Sequence, residues 1–259
     1  MAATERELLA ARIFFRAAFP VIKVILEDDP GMKKAFANIQ ANVQFKARND
    51  GEQIGAFLVF DRGNFSVGQG FCEHPDITLS FGTVKKMNAM LAGKNVVPGI
   101  KGLTKPLLLA KVLRLLLKLK LMLPTNLPKD PATRALKVKM VMYMITTALS
   151  QYNKGGDPEM VKWTKSQPDR IYQLSVEPEG IAAYLRVKAG NTKAGRGLYT
   201  RRRPFVHMKF HGVDGALKVM LREAEMVEAV DKGYISVEGS PEYGAMVNDF
   251  MQRIQALVT

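Results

Sequence analysis

The chain repeats its own pattern at a spacing close to half its length of 259 residues. "DDPGM" at 28–32 returns as "GDPEM" at 156–160, "VQFKARNDG" at 43–51 as "YQLSVEPEG" at 172–180, and "GAFLVF" at 55–60 as "AAYLRV" at 182–187. "PDITLSFGTV" at 75–84 returns as "PFVHMKFHGV" at 204–213, and "GIKG" at 99–102 as "SVEG" at 236–239. The offset is 127 to 129 for the first four pairs and 137 for the last, as one insertion would produce. Order and spacing together predict an internal duplication, which constrains the fold more than any single motif. The expected domains are residues 1–129 and 130–259, joined across Pro124, Pro128 and Asp130-Pro131.

Each half predicts the same elements. A long helix opens the half (5–26 and 132–151). A short helix follows "DP", with Asp as cap and Pro at the first helical position (31–38 and 158–166). Period-two patterning then marks strands: Val43, Phe45 and Ala47 share a face, as do Val206, Met208 and Phe210. "NDG" at 49–51 and "PEG" at 178–180 are turns that join strands into hairpins. A further strand, a helix (83–92 and 213–222), a short strand near Gly102 or Gly239, and a closing helix (105–123 and 241–257) complete each half. The expected fold class is α+β: a mixed or antiparallel sheet with helices on one face, present as two similar units.

The closing helix of the first half, "KPLLLAKVLRLLLKLKLMLP" at 105–124, has the length of a membrane span but not its composition. Each central Lys or Arg would cost about +2.5 to +3.5 kcal/mol in a bilayer, and Lys111, Arg114 and Lys118 all lie in the middle. At about 100° per residue these three form one stripe, with Leu109, Val112, Leu113 and Leu116 opposite. Leu107, Leu115, Leu117 and Leu121 lie on or beside the basic stripe, so the apolar surface is wider than one core-facing stripe requires. The helix suits a cover over an apolar ligand or a place on a membrane surface.

Charge sharpens this reading. The formal net charge is +14, which favours an anionic partner. Residues 77–129 hold ten Lys or Arg and no acidic residue, and residues 82–123 hold no aromatic one. Nucleic-acid sites interleave aromatics with their cations, so an anionic lipid surface is the expected partner and nucleic acid is not. The single cysteine, Cys72, excludes an internal disulfide. With no secretory signal at the start of the chain, the expected location is the cytoplasm, peripheral to a membrane.

Catalytic signatures are absent from the sequence: it contains no GxxxxGK[ST] loop, GxSxG, HExxH or paired-Cys motif. Neither catalytic residues, cofactor nor metal is expected. His207 and His211, four apart on a strand, would stand roughly 13 Å from each other, too far to share a metal. "GNTKAGRG" at 190–197 reads as a loop between strands, and "RRRP" at 201–204 as a solvated loop.

The segment "PDITLSFGTVKKMNAMLAGKNVVPGIKG" at 75–102, the hairpin "GAFLVFDRGNFSV" at 55–67 and helix 105–123 together resemble the sterol carrier protein-2 family. The second half keeps the layout but has Glu223 and Ala224 in place of Gly93-Lys94. The resemblance implies a non-enzymatic protein that binds fatty acyl, sterol or isoprenoid lipids in an apolar tunnel between sheet and helices. It implies that Leu109, Val112, Leu113 and Leu116, with Phe57 on the sheet, face the lipid. Lys111, Arg114 and Lys118 would then meet phosphate headgroups. The alternative is an accessory or scaffold protein of a lipid or quinone pathway that oligomerises, for instance as a homodimer, without binding lipid itself.

Overall fold

A computed structural model describes residues 2–221 and 223–258, with Pro241 described by its backbone alone. The chain divides into two compact units, one running to Leu123 and including the chain's end from Leu257, the other Pro124–Ala256. The Pro-rich connection thus groups with the second unit.

The first unit opens with α1 (Glu5–Ile13), which continues through a π-helical turn (Phe14–Ala18) into α2 (Phe19–Asp28). Thr4 and Glu7 form a reciprocal cap at the start. Pro20 lacks an amide hydrogen and its ring collides with the preceding turn, so a continuous α-helix cannot run through it, and the widened turn lies where that conflict falls. The short α3 (Pro30–Phe36) starts at Asp29, whose carboxylate accepts from the Met32 amide at 3.0 Å. Then follow β1 (Gln40–Asn49), β2 (Glu52–Asp61), β3 (Asn64–Gln69), β4 (Ile77–Phe81), α4 (Val84–Leu91), β5 (Gly99–Lys101) and α5 (Pro106–Leu119). The sheet order is β3-β2-β1-β4-β5, with β1 parallel to β4 and the remaining pairs antiparallel.

The second unit contains α6 (Pro131–Lys154), α7 (Pro158–Lys165), β6 (Arg170–Glu177), β7 (Ile181–Lys188), β8 (Asn191–Arg196), β9 (Val206–His211), α8 (Gly212–Met220), α9 (Met226–Asp231), β10 (Ile235–Gly239) and α10 (Pro241–Val258). Its order, β10-β9-β6-β7-β8, is that of the first sheet read from the other edge. The fold class is therefore α+β, with two similar five-stranded mixed sheets and their helices. Two elements differ from the sequence reading. The segment 190–197 is mostly strand β8, not loop, because Gly195 leaves room for the Tyr184 ring that lies across it. Helix α9 occupies the insertion.

Apolar side chains fill one face of each sheet. In the first unit Phe45 packs on Phe19 and Phe60 on Phe36, both at 4.8 Å between ring centroids. In the second, Trp163 packs between Tyr172 at 5.5 Å and Phe250 at 5.4 Å. The other face is crossed by a strap leading from the edge strand to the fourth strand, and one buried glutamine holds each strap. The Gln44 amide donates to the carbonyls of Phe45 (2.7 Å), Ala56 (3.1 Å) and Gly70 (3.0 Å), and its oxygen accepts from the Cys72 amide (2.7 Å). Gln173 does the same with Leu174 (3.0 Å), Ala183 (2.8 Å), Gly197 (3.3 Å) and the Tyr199 amide (2.9 Å). Both glutamines are buried, and their bonds satisfy backbone groups of the strap that would otherwise be orphaned.

Candidate functional site

Helix α5 enters with Pro106 at its first position and no side-chain cap. Val112 and Leu115 are its fully buried residues and form its inward line. At about 100° per residue, Leu116, Leu109, Leu113 and Leu117 follow one another around the helix beside that line. Leu109 and Leu116 are half-buried; Leu113 is 40% and Leu117 58% exposed. The result is a continuous apolar strip running from the packed side to the open side. Farther round stand Leu107, 80% exposed, and the exposed Arg114.

Two lysines tether the helix. Lys111 Nζ donates to the carbonyl of Ala35 on α3 at 3.1 Å, and Lys118 Nζ pairs with Asp29 at 2.8 Å. Burial opposes the charged form of Asp29, but Lys118 and the Met32 amide outweigh it and hold the carboxyl below its usual pKa. Of the three cations expected at headgroups, Lys111 and Lys118 thus bond α3 and its cap, and Arg114 faces outward.

Phe57 requires a correction. The β1–β2 register pairs Phe57 with Gln44 and Leu58 with Val43. Since side chains alternate along a strand, Phe57 lies on the strap face, opposite the helices, with its ring over Gly68. It cannot line a space between sheet and helices. Tyr184 lies over Gly195 in the same way in the second unit.

A second ion pair, not expected from the sequence, lies near α5. Asp76 accepts from the Asn42 amide at 2.8 Å and pairs with Lys105, just before the helix. Its carboxyl is held below the usual range: burial raises it, and Lys105 and the Asn42 amide lower it further. The signal in the sequence is that Asp76 is the last acid before the long basic stretch. Cys72 is half-buried in the strap. His207 and His211 project from one face of β9, where His207 Nε2 lies 2.8 Å from Ser175 Oγ. Among the described residues no cluster of three His, Cys, Asp or Glu could hold a metal ion, and no helix is long and apolar enough to cross a membrane.

No protein-family model matches this chain, and no curated protein does. Among solved structures, sterol carrier protein 2 from Yarrowia lipolytica, in its apo form, is similar over 40% of this chain and 91% of its own, at 15% identity and a TM-score of 0.30. A double mutant of the sec-alkylsulfatase PisA1 matches over 63% of this chain at 13% identity and a TM-score of 0.28. The stereoselective inverting sec-alkylsulfatase Pisa1 from Pseudomonas sp. matches over 55%, at 13% identity and a TM-score of 0.27. The chain spans 31% and 28% of those two sulfatase chains.

Proposed function

We propose that the first unit binds an apolar lipid along α5 and carries it without chemical change. The observation that supports this reading is the apolar strip Leu116–Leu109–Leu113–Leu117, which continues past the buried Val112 and Leu115 onto the open side of the helix. A helix that only closed a core would carry polar residues there. Burying a leucine is worth about 1.5–3 kcal/mol, so a contiguous strip left partly open is a surface made for an apolar partner. Fatty acyl, sterol and isoprenoid chains are the ligand class, since each methylene buried contributes about 0.8 kcal/mol and needs no special chemistry.

The same helix supports contact with an anionic bilayer. Arg114 and Leu107 face outward together, and residues 77–129 carry no negative charge. The protein is thus read as a carrier that works peripherally at a membrane, and its two units as copies of one ancestral module of which the first kept the lipid function.

Leu113→Asp combined with Leu117→Asp tests this. Both residues are exposed, so the fold should survive. The variant should lose co-purifying lipid and its uptake of a fluorescent fatty acid. Full uptake by the folded variant would remove α5 from the account. A second reading, in which the strip joins two copies into a scaffold, is separated by light scattering: a dimer that the same substitutions dissociate, with no lipid in the wild type, would favour it.

A further inference from the structure

Each sheet has a corner where the fourth strand begins and the last strand ends. The Asp76 amide donates to the Asn42 carbonyl, and the Phe205 amide to that of Ile171, both at 2.8 Å. At Gly102 (φ +94°) a β-carbon would stand 2.1 Å from the carbonyl oxygen of Asp76; at Gly239 (φ +100°) it would stand 2.0 Å from that of Phe205. The backbone is the same, but the side chains are not. In the first unit the Asp76 carboxylate fills the corner with its bonds to Asn42 and Lys105. In the second Phe205 takes its place, and the corner holds a cleft of about 420 Å³ lined by Arg203, Phe205, His207, Glu238 and Ser240 among others.

The cleft has a definite charge balance. Glu238 pairs with Lys209 at 2.6 Å, and that bond holds its carboxyl below the usual range. Arg202, next in sequence, pairs with Asp169 at 2.5 Å. Arg203 makes no hydrogen bond or ion pair among the described residues and acts on Glu238 only through space, so Arg203 and Lys209 together leave one positive charge in excess of Glu238 and the Arg203 guanidinium keeps its donors open. His207 is oriented by the buried Ser175 hydroxyl. Burial first and then Lys209 push its imidazole pKa down, which leaves it neutral near pH 7 and able to hydrogen-bond. Phe205, Tyr243 and Arg170 pack on one another: the Arg170 guanidinium lies 3.9 Å from the Phe205 centroid and 4.3 Å from that of Tyr243, and the two rings meet edge to face at 5.1 Å, so Phe205 is held as an apolar wall. α10 begins directly after Ser240, so the positive end of its dipole adds to the site.

We propose that this cleft binds a phosphate monoester, its oxygens held by Arg203 with His207 and Ser240 and its organic part lying against Phe205. The planar guanidinium fork matches phosphate bidentately. A cleft of this volume falls in the range of small-molecule sites and leaves room for more than the anion. The motif "RRRP", read from sequence as a solvated loop, thus divides its work: Arg202 anchors the loop to Asp169 and Arg203 faces the ligand.

The phosphate could come from a soluble ester or a lipid headgroup, and two probes separate these. Phenyl phosphate and monomeric short-chain phosphatidic acid are titrated into the full chain by calorimetry, with the His207 imidazole signals followed by NMR. Saturable binding of phenyl phosphate, one per chain, with His207 shifted, is the expected result. Competition by phosphatidic acid would identify the source as a headgroup; its failure to bind would identify a soluble ester. Arg203→Gln should weaken binding about ten-fold or more, as loss of a charge-assisted hydrogen bond does. His207→Gln should weaken it less, and Arg201→Gln should leave it unchanged. Absence of saturation, or equal losses from Arg201→Gln and Arg203→Gln, would overturn the proposal.

Discussion

The helices that open the two units pack on the same face of equivalent sheets with opposite chemistry. In the first, Phe15, Phe19, Ile22 and Ile25 are buried without a polar group among them. In the second, Ser150 bonds Thr192 at 3.2 Å, and Asn153 accepts from Thr164 at 2.6 Å and donates to the Gly190 carbonyl at 2.9 Å. What the units keep in common is backbone machinery: the Gln44 and Gln173 straps and the Gly102 and Gly239 corners. The scaffold is thus specified by a few polar and glycine positions, and the helix layer is left to vary. The apolar layer goes with an α5 whose leucines continue onto its exposed side, the feature on which the lipid proposal rests. A polar network fixes one packing, and in that unit the closing helix α10 buries Val247, Phe250 and Ile254 in the ordinary amphipathic way.

The largest expected effect tests what is shared. Gln44→Leu and Gln173→Leu each leave several buried backbone groups unpaired and should each destabilise by about 3 kcal/mol in denaturant titrations. A large loss in one unit beside a negligible loss in the other would break the correspondence. Next come the helix layers. Asn153→Ala should cost about 2 kcal/mol, since it strips partners from Thr164 and Gly190, whereas Ile22→Val should cost about 1 kcal/mol. At the membrane, Arg114→Glu should weaken binding to anionic vesicles by about 1 kcal/mol per unit of charge changed, with the effect fading at high salt. Equal binding by wild type and variant would detach that face of α5 from the bilayer.

The smallest effects are electrostatic. Asp29 has a lowered folded pKa, so its contribution is present above the unfolded value and is lost as pH falls through the folded one. Lys118 is partly exposed, so screening limits the pair, and Lys118→Met should cost under about 1 kcal/mol near neutrality. In the second unit Asp169 is held at about 2 by Arg186 first and then, against desolvation, by Arg202. Its contribution has the same sign and should persist to lower pH. Carboxyl NMR titration checks the order: an Asp169 midpoint in the ordinary aspartate range would contradict the paired geometry.

Much of this fold is legible in the sequence because local signals agree. "DP" caps, hairpin turns and period-two strands recur in one order, and each element appears near its expected place. Phe57 was also readable: the two-residue turn at Asp50-Gly51 pairs Asn49 with Glu52, and counting back puts Phe57 beside Gln44 and away from Phe45. The roles of Lys111 and Lys118 were not. A helical stripe shows where cations point, but the Ala35 carbonyl and Asp29 that receive them are brought there by tertiary packing. Strand β8 was hidden by Gly195 and the glycines on either side of it, which look like loop until Tyr184 is known to need the space over Gly195. The Gln strap stood in plain view in "VQFKA" and "YQLSV", but a glutamine on a strand announces no partner until the chain's crossing is known.

Native mass spectrometry of the freshly purified chain, followed by solvent extraction and lipid identification, decides whether α5 holds a lipid. The account predicts one lipid-sized adduct per chain, absent from the Leu113→Asp, Leu117→Asp variant and retained by Arg203→Gln. A bare mass that stays unshifted with added fatty acids, sterols and quinones would contradict it.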